Sequence, residues 1–192
     1  MNAVFRQATP LDAQGIADIY LASRETFLPF APLAHSDAEV RQWVADALIP
    51  SGRVTVATTV NEPIGMMALS HDGQLDWIDH LYLHPSAVGR GIGSQLLERA
   101  KQELGPLIRL YTFQANTASR RFYERHGFQS VAFSDGHANE EHCPDVLYEL
   151  DRNADKSAAG KPPGFLLAPT TFLNSNPHPA SRALRRPEAA SA

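Results

Sequence analysis

His80-Leu81-Tyr82-Leu83-His84-Pro85-Ser86-Ala87-Val88-Gly89-Arg90-Gly91-Ile92-Gly93-Ser94-Gln95-Leu96-Leu97 runs from an apolar strand through a glycine-rich turn into a helix whose Leu96, Leu97 and Ala100 share one face. Without Cβ atoms, Gly89, Gly91 and Gly93 let main-chain N–H groups crowd around an anion. The helix that follows adds its unbonded first N–H groups and the positive end of its dipole. A strand, such a turn and a helix together make a phosphate cradle, with pyrophosphate as the expected guest.

Spacing decides which nucleotide is meant. A dinucleotide fingerprint requires a third glycine three residues after Gly91, where Ser94 stands, and an acidic residue closing a second parallel strand about twenty residues on, which is missing. A P-loop requires Gly-Lys-Ser/Thr, and Gly93-Ser94-Gln95 has no lysine. The stretch Val88-Gly89-Arg90-Gly91-Ile92-Gly93 instead resembles the acyl-CoA cradle of the GNAT superfamily of N-acetyltransferases, Gln/Arg-x-x-Gly-x-Gly/Ala after a strand, with Val88 where Gln or Arg is usual. Downstream, Asn116-Thr117-Ala118-Ser119-Arg120-Arg121-Phe122-Tyr123, closing on Gly127-Phe128, resembles the second motif of that family. Asp135-Gly136, Asn139-Glu140-Glu141 and Pro144-Asp145-Val146-Leu147-Tyr148 resemble the end of a bacterial subgroup. The resemblance covers residues 4–150.

Local signals agree with the α+β order that this resemblance implies, a mixed and largely antiparallel central sheet flanked by helices. Thr9-Pro10-Leu11-Asp12 starts a helix over 10–26, with Ile16, Ile19 and Tyr20 inward. Ser36-Asp37-Ala38-Glu39 is a capping box for a second helix through Trp43 and Leu48. Residues 53–60 and 64–70 read as a hairpin, and 75–83 as the fourth strand. A helix follows over 91–104, a buried strand over 107–113, a helix over 117–126 ended by Gly127, and closing strands over 128–133 and 146–150. The reading is one GNAT acetyltransferase domain over 1–150 and a Pro- and Ala-rich tail over 151–192 that is expected to be disordered.

Composition excludes other classes. The chain has 192 residues and a net charge of −4, with no basic run in the part expected to fold, so no nucleic-acid partner is expected. A lone Cys143 allows no internal disulfide, and there is neither a leader-like apolar core nor an apolar stretch of membrane-spanning length. A cytoplasmic protein with no membrane partner is the expectation. His71 and His84 lack further ligands at usable spacing, so no metal site is expected.

The resemblance implies acetyl-CoA as acyl-donor cosubstrate, a primary amine of a small molecule or peptide as acceptor, direct attack, and a homodimer as a common assembly. It places the pantetheine arm along Leu81, Tyr82 and Leu83, with Asn116 meeting its amide. Val88, Gly89, Arg90, Gly91, Ile92, Gly93 and Ser94 surround the pyrophosphate, chiefly through main-chain N–H groups, Val88 included. Tyr123 becomes the general acid for the departing thiolate, while Phe122 serves the core. For the base, His80 and Asp79 stand side by side, so a regular strand points them to opposite faces unless a bulge intervenes. His80 suits the base by its ordinary pKa, and Asp79 suits the substrate ammonium. Substrate contacts are expected from Glu25, Phe27, Phe30, His35, Glu140 and Glu141, a mixture suited to a cationic amine with an apolar body. The alternative is a GNAT-fold sensor or interaction module that binds acyl-CoA without chemistry.

Overall fold

The structure, a computed structural model, describes residues 3–60, 62–73 and 75–153. The expected tail from 154 onward lies outside the described residues. β1 (Val4–Gln7) passes through a 3₁₀ turn at Pro10–Asp12 into α1 (Ala13–Phe27). Asp12 ties the junction: its carboxylate accepts from Thr9 N and Oγ, both at 2.8 Å, and from both ends of the Arg6 fork at 2.7 and 2.8 Å. The Arg6 guanidinium, by its hydrogen bonds, holds the Asp12 carboxyl down at about 2, against the opposing effect of burial.

α1 buries Ile16, Ile19, Tyr20, Ser23 and Arg24, the helical spacing of one inward face. α2 (Asp37–Trp43) begins at the expected capping box, with Glu39 N donating to Ser36 Oγ at 3.4 Å and Ser36 N to Glu39 Oε2 at 2.8 Å. It does not continue as one regular helix through Leu48. A π turn at Val44–Leu48 and a 3₁₀ turn at Ile49–Ser51 follow, because Pro50 has no N–H to close another α turn.

β2 (Val54–Thr59), β3 (Glu62–Asp72) and β4 (Leu75–Leu83) form the antiparallel meander, followed by α3 (Ile92–Glu103), β5 (Leu107–Phe113), α4 (Thr117–Arg125), β6 (Gln129–Ser134) and β7 (Asp145–Asp151). The seven strands make one sheet in the order β1-β2-β3-β4-β5-β7-β6, in which only β4 and β5 run parallel. Alternation along β3 feeds two cores: Met66 and Ala68 pack with α1 and α2, and Met67 and Leu69 pack with α3, α4 and β5. No helix among the described residues is long and apolar enough to cross a membrane.

Two irregularities of β4 shape everything that follows. Ala68 pairs with His80 but Leu69 pairs with Ile78, so Asp79 is the extra residue of a β-bulge. Against β5, β4 pairs only through Asp76 with Ile108 and Trp77 with Arg109, after which the strands part. Beyond those two pairs the sheet is split by a cleft.

Candidate active site

The parting of β4 from β5 leaves one edge of β4 without a strand beside it. His84 N donates to Ile64 O of β3 at 2.9 Å, so by two-residue alternation Leu81 and Leu83 turn their main-chain N–H and C=O groups to the other, open edge. That edge meets a cleft of about 600 Å³ including its mouth, whose walls include Asp79, His80, Leu81, Tyr82, Tyr111, Phe113, Asn116 and Tyr123. The expected pantetheine track and the expected catalytic side chains are thus brought together.

At the turn before α3, Gly89 and Gly91 have φ of +79° and +76°, and a Cβ on either would meet no atom within 4 Å. Their value is conformational, and the space beside them is open. Gly93 behaves differently from expectation. It lies inside α3, where a Cβ would sit 3.5 Å from Phe122 and 3.6 Å from Leu83, so its smallness serves close packing rather than a special φ. Ile92 is buried in the core, which leaves it only its main chain for an anion. Val88 departs from the reading made of it, for its N–H closes the Pro85–Ala87 turn onto Pro85 O at 3.4 Å and its side chain is exposed. Arg90 stands exposed on the rim. The open N–H groups at the start of α3 fit a pyrophosphate in charge and in space.

Ser94, third residue of α3, is engaged from behind. Its Oγ lies 3.0 Å from His126 Nε2, and His126 Nδ1 lies 2.8 Å from Phe122 O. This chain of contacts pins the start of α3 to the end of α4.

Tyr123 is 8% exposed, packed edge-on against Phe122 and Phe128, and lines the cleft. Burial, with Tyr82 nearby, pushes its phenol well up, so it holds its proton at neutral pH. Phe122 packs against the core as expected, although Tyr123 belongs to that core too. Asn116 caps α4, its Oδ1 accepting from Ser119 N at 3.1 Å, and it also lines the cleft.

The bulge settles the parity of Asp79 and His80. His80 is 4% exposed and enclosed by Tyr20, Trp43 and Tyr82, with ring centroids 6.2, 5.3 and 6.1 Å away. Asp79 is only partly buried and accepts from Ser70 Oγ at 2.9 Å. Both reach the cleft wall.

The cleft wall formed by Arg24, Leu28, Phe113 and Glu141 holds what the sequence did not signal clearly. Arg24, 4% exposed, pairs with Glu141 at 2.9 Å, donates to Ala31 O at 3.0 Å, and lies over the rings of Tyr20 and Phe113 at 6.0 and 5.6 Å. Burial works against its charge, but Tyr82, Tyr20 and Glu141 outweigh it and raise its pKa. His35 pairs with Glu140 at 3.1 Å. Glu141 therefore holds the Arg24 guanidinium and Glu140 the His35 imidazole, which corrects their assignment as ligands for a substrate ammonium; Phe27 and Phe30 remain 40% exposed, and Glu25 is exposed. The signal for Arg24 was present in the pattern, since a charged residue on the Ile16, Tyr20 face of α1 has to be paired inside. His71 contacts Asp76 at 3.0 Å and His84 contacts Ser86 at 2.8 Å. Among the described residues no group of three or more His, Cys, Asp or Glu could hold a metal.

The mixed, largely antiparallel sheet flanked by helices is GNAT-like. Residues 50–130 match the family model of the acetyltransferase (GNAT) domain. The peptidyl-lysine N-acetyltransferase YjaB of Salmonella typhimurium is 31% identical over 98 residues, a match that spans 51% of this chain and 64% of that protein's length. The solution structure of apo YjaB from Escherichia coli superposes with a TM-score of 0.64 at 22% identity, covering 78% of this chain and 98% of that one. The PaiA N-acetyltransferase of Thermoplasma acidophilum, solved with coenzyme A, gives 0.60 at 19% identity over 79% of this chain and 99% of its own. At these identities the structural likeness is one of fold. The fold is GNAT-like, and the stretch that matches the GNAT acetyltransferase domain carries the glycine turn, α3, β5 and α4.

Proposed function

We propose that this chain transfers an acetyl group from acetyl-CoA to a primary amine by direct attack of the amine. The observation that carries the reading is the junction, along one seam of the sheet, of the open edge of β4, the cradle at Gly89 and Gly91, and the buried phenol of Tyr123. A GNAT structure with coenzyme A bound, that of the Thermoplasma protein, supports a coenzyme-based donor.

When bound, the coenzyme supplies the activated acyl thioester. Leu81 and Leu83 offer main-chain groups to its arm, and the N–H at Leu81 stabilises charge on the acyl oxygen. Asn116, its Oδ1 committed to capping, offers its amide donors to the arm. The first N–H groups of α3 take the pyrophosphate. Tyr123 gives its proton to the departing sulfur, and the phenol is restored by a proton from solvent before the next turnover. The acceptor enters against Phe113, Leu28 and Tyr111, beside the paired Arg24 and Glu141, with the Asp79 carboxylate on the same wall. An amine on an apolar stem suits those walls, and the Salmonella relative, a peptidyl-lysine N-acetyltransferase, supports a lysine side chain within that class. Asp79, less enclosed than His80, takes the proton from the amine directly or through water, and His80 holds the strand against Trp43 and Tyr20.

The test is thiol release from acetyl-CoA over a panel of alkylamines, diamines and lysine peptides, run beside calorimetric binding of coenzyme A. Turnover with at least one amine is expected. Tight coenzyme binding with no turnover on any of them would replace the enzyme by a non-catalytic acyl-CoA-binding module.

A further inference from the structure

The contact between the cradle and the end of α4 contains a proton whose position is fixed by chemistry. A carbonyl oxygen only accepts, so the 2.8 Å contact with Phe122 O requires a hydrogen on His126 Nδ1. In the neutral ring Nε2 is then a bare acceptor, and at 3.0 Å it takes the hydrogen of Ser94 Oγ. Ser94, in the first turn of α3 at the mouth of the cradle, is left presenting lone pairs to any anion bound there. In the charged ring Nε2 carries a hydrogen and donates to Ser94 Oγ, which releases the serine hydrogen.

We propose that His126 is a positioning residue for coenzyme binding: by taking up a proton it reverses the hydrogen bond to Ser94, and the freed Ser94 hydroxyl donates to a pyrophosphate oxygen. The proposal rests on the acyl-CoA reading of the cradle and adds a regulated step to it. The proton comes from solvent, no covalent bond changes, and the new chain runs from phosphate oxygen to Ser94 to His126 to Phe122 O. Binding the anion and protonating His126 therefore favour each other, as linkage requires of any two coupled events.

The neighbours of the ring do not blur this. From α3, Lys101 donates to the His126 carbonyl at 3.3 Å and is itself held by Glu98 at 2.8 Å. On α4 the flanking charges are Glu124 and Arg125, with the Phe122 ring 4.5 Å from the imidazole, centroid to centroid. Arg90 belongs to the cradle turn. Lysine, arginine and glutamate side chains do not ordinarily change charge over the range in which imidazole titrates.

The experiment is calorimetric titration of the full chain with dephospho-coenzyme A, a probe whose pyrophosphate stays ionised while the terminal phosphate that would titrate in the same range is absent. Two buffers of different ionisation enthalpy count the protons taken up. Wild type should bind about tenfold more tightly near pH 5.5 than near pH 8, the worth of one charge-assisted hydrogen bond, and take up a fraction of a proton in between. Ser94→Ala should bind with the same affinity near pH 5.5 as near pH 8. His126→Phe should bind with no proton uptake, and Ser94→Ala keeps the test open if that variant fails to fold. Binding by wild type without proton uptake, or a Ser94→Ala effect equal at both pH values, would overturn the proposal while leaving the cradle intact. No binding at any pH would overturn the cradle and the relay together.

Discussion

Tyr123 and Gly91 show how far a single residue decides this site. Replacing Tyr123 by Phe keeps the ring among Phe122, Phe128 and Tyr148 and removes only the donor. The expected outcome is a fall in kcat of about 10²-fold or more, with coenzyme binding unchanged; an unchanged kcat would take the acid role from this phenol. Gly91→Val forces a branched side chain to φ +76°, at a cost of about 1–3 kcal/mol, and should abolish coenzyme binding. Gly52→Val, at φ +75° and equally open, is its control: the same backbone strain at the end of the turn after α2, with binding retained. Binding that survived Gly91→Val would separate the turn from the anion. These residues were legible in the sequence because their signals are local: a glycine at a turn, an asparagine before a helix, a tyrosine at fixed distance from Gly127. The partners of Arg24 and His126 were not, because Glu141 and Ser94 lie far along the chain and only the fold brings them together.

At the scale of elements, one wall of the cleft is a seam between α1 with the loop that follows it and the loop of residues 135–144. Arg24–Glu141 is its buried tie and His35–Glu140 its partly exposed one, with Cys143 Sγ reaching Phe30 O at 3.5 Å beside them. Glu141→Gln leaves a buried guanidinium uncompensated and should destabilise the fold by about 3 kcal/mol, read by urea denaturation. Glu140→Gln, in a pair 24–27% exposed, should cost under about 1 kcal/mol. Equal costs would mean that the Arg24 pair is not the stronger tie. The strand pattern gave β4 and β5 their residue limits, since alternation and apolar runs are properties of the strands themselves. It did not give the bulge: an extra residue at Asp79 appears only as a slip between two strands, and nothing in β4 alone marks it. The regular helix expected through Leu48 failed for a local reason that was visible, Pro50, whose missing N–H loosens the turns before it.

Across the whole molecule, the response to acid follows from Asp12, which locks β1 to α1. Its folded pKa, about 2, lies below the ordinary carboxylate value of about 3.9, so the folded state binds this proton less readily than the unfolded one. The stabilisation is complete above about pH 5 and fades as pH falls toward 2, an amount on the order of 2 kcal/mol before discounting for Arg6, which is 40% exposed and solvent-screened. Asp12→Asn should flatten the acid limb of a stability curve between those values, and an unchanged limb would move the cause elsewhere.

The split between β4 and β5 has a consequence for how this protein lives in a cell. Two residue pairs are all that join the strands there, and a ligand lying along the open edge would add the missing rungs. By mass action, ligand at a hundred times its Kd adds about 2.7 kcal/mol to the folded state. Amide hydrogens of Leu81 and Leu83 should then exchange more slowly when coenzyme A is present, and proteases should find the same region harder to open. Resistance to unfolding should therefore rise with the concentration of whatever ligand fills that edge, and the folded lifetime with it.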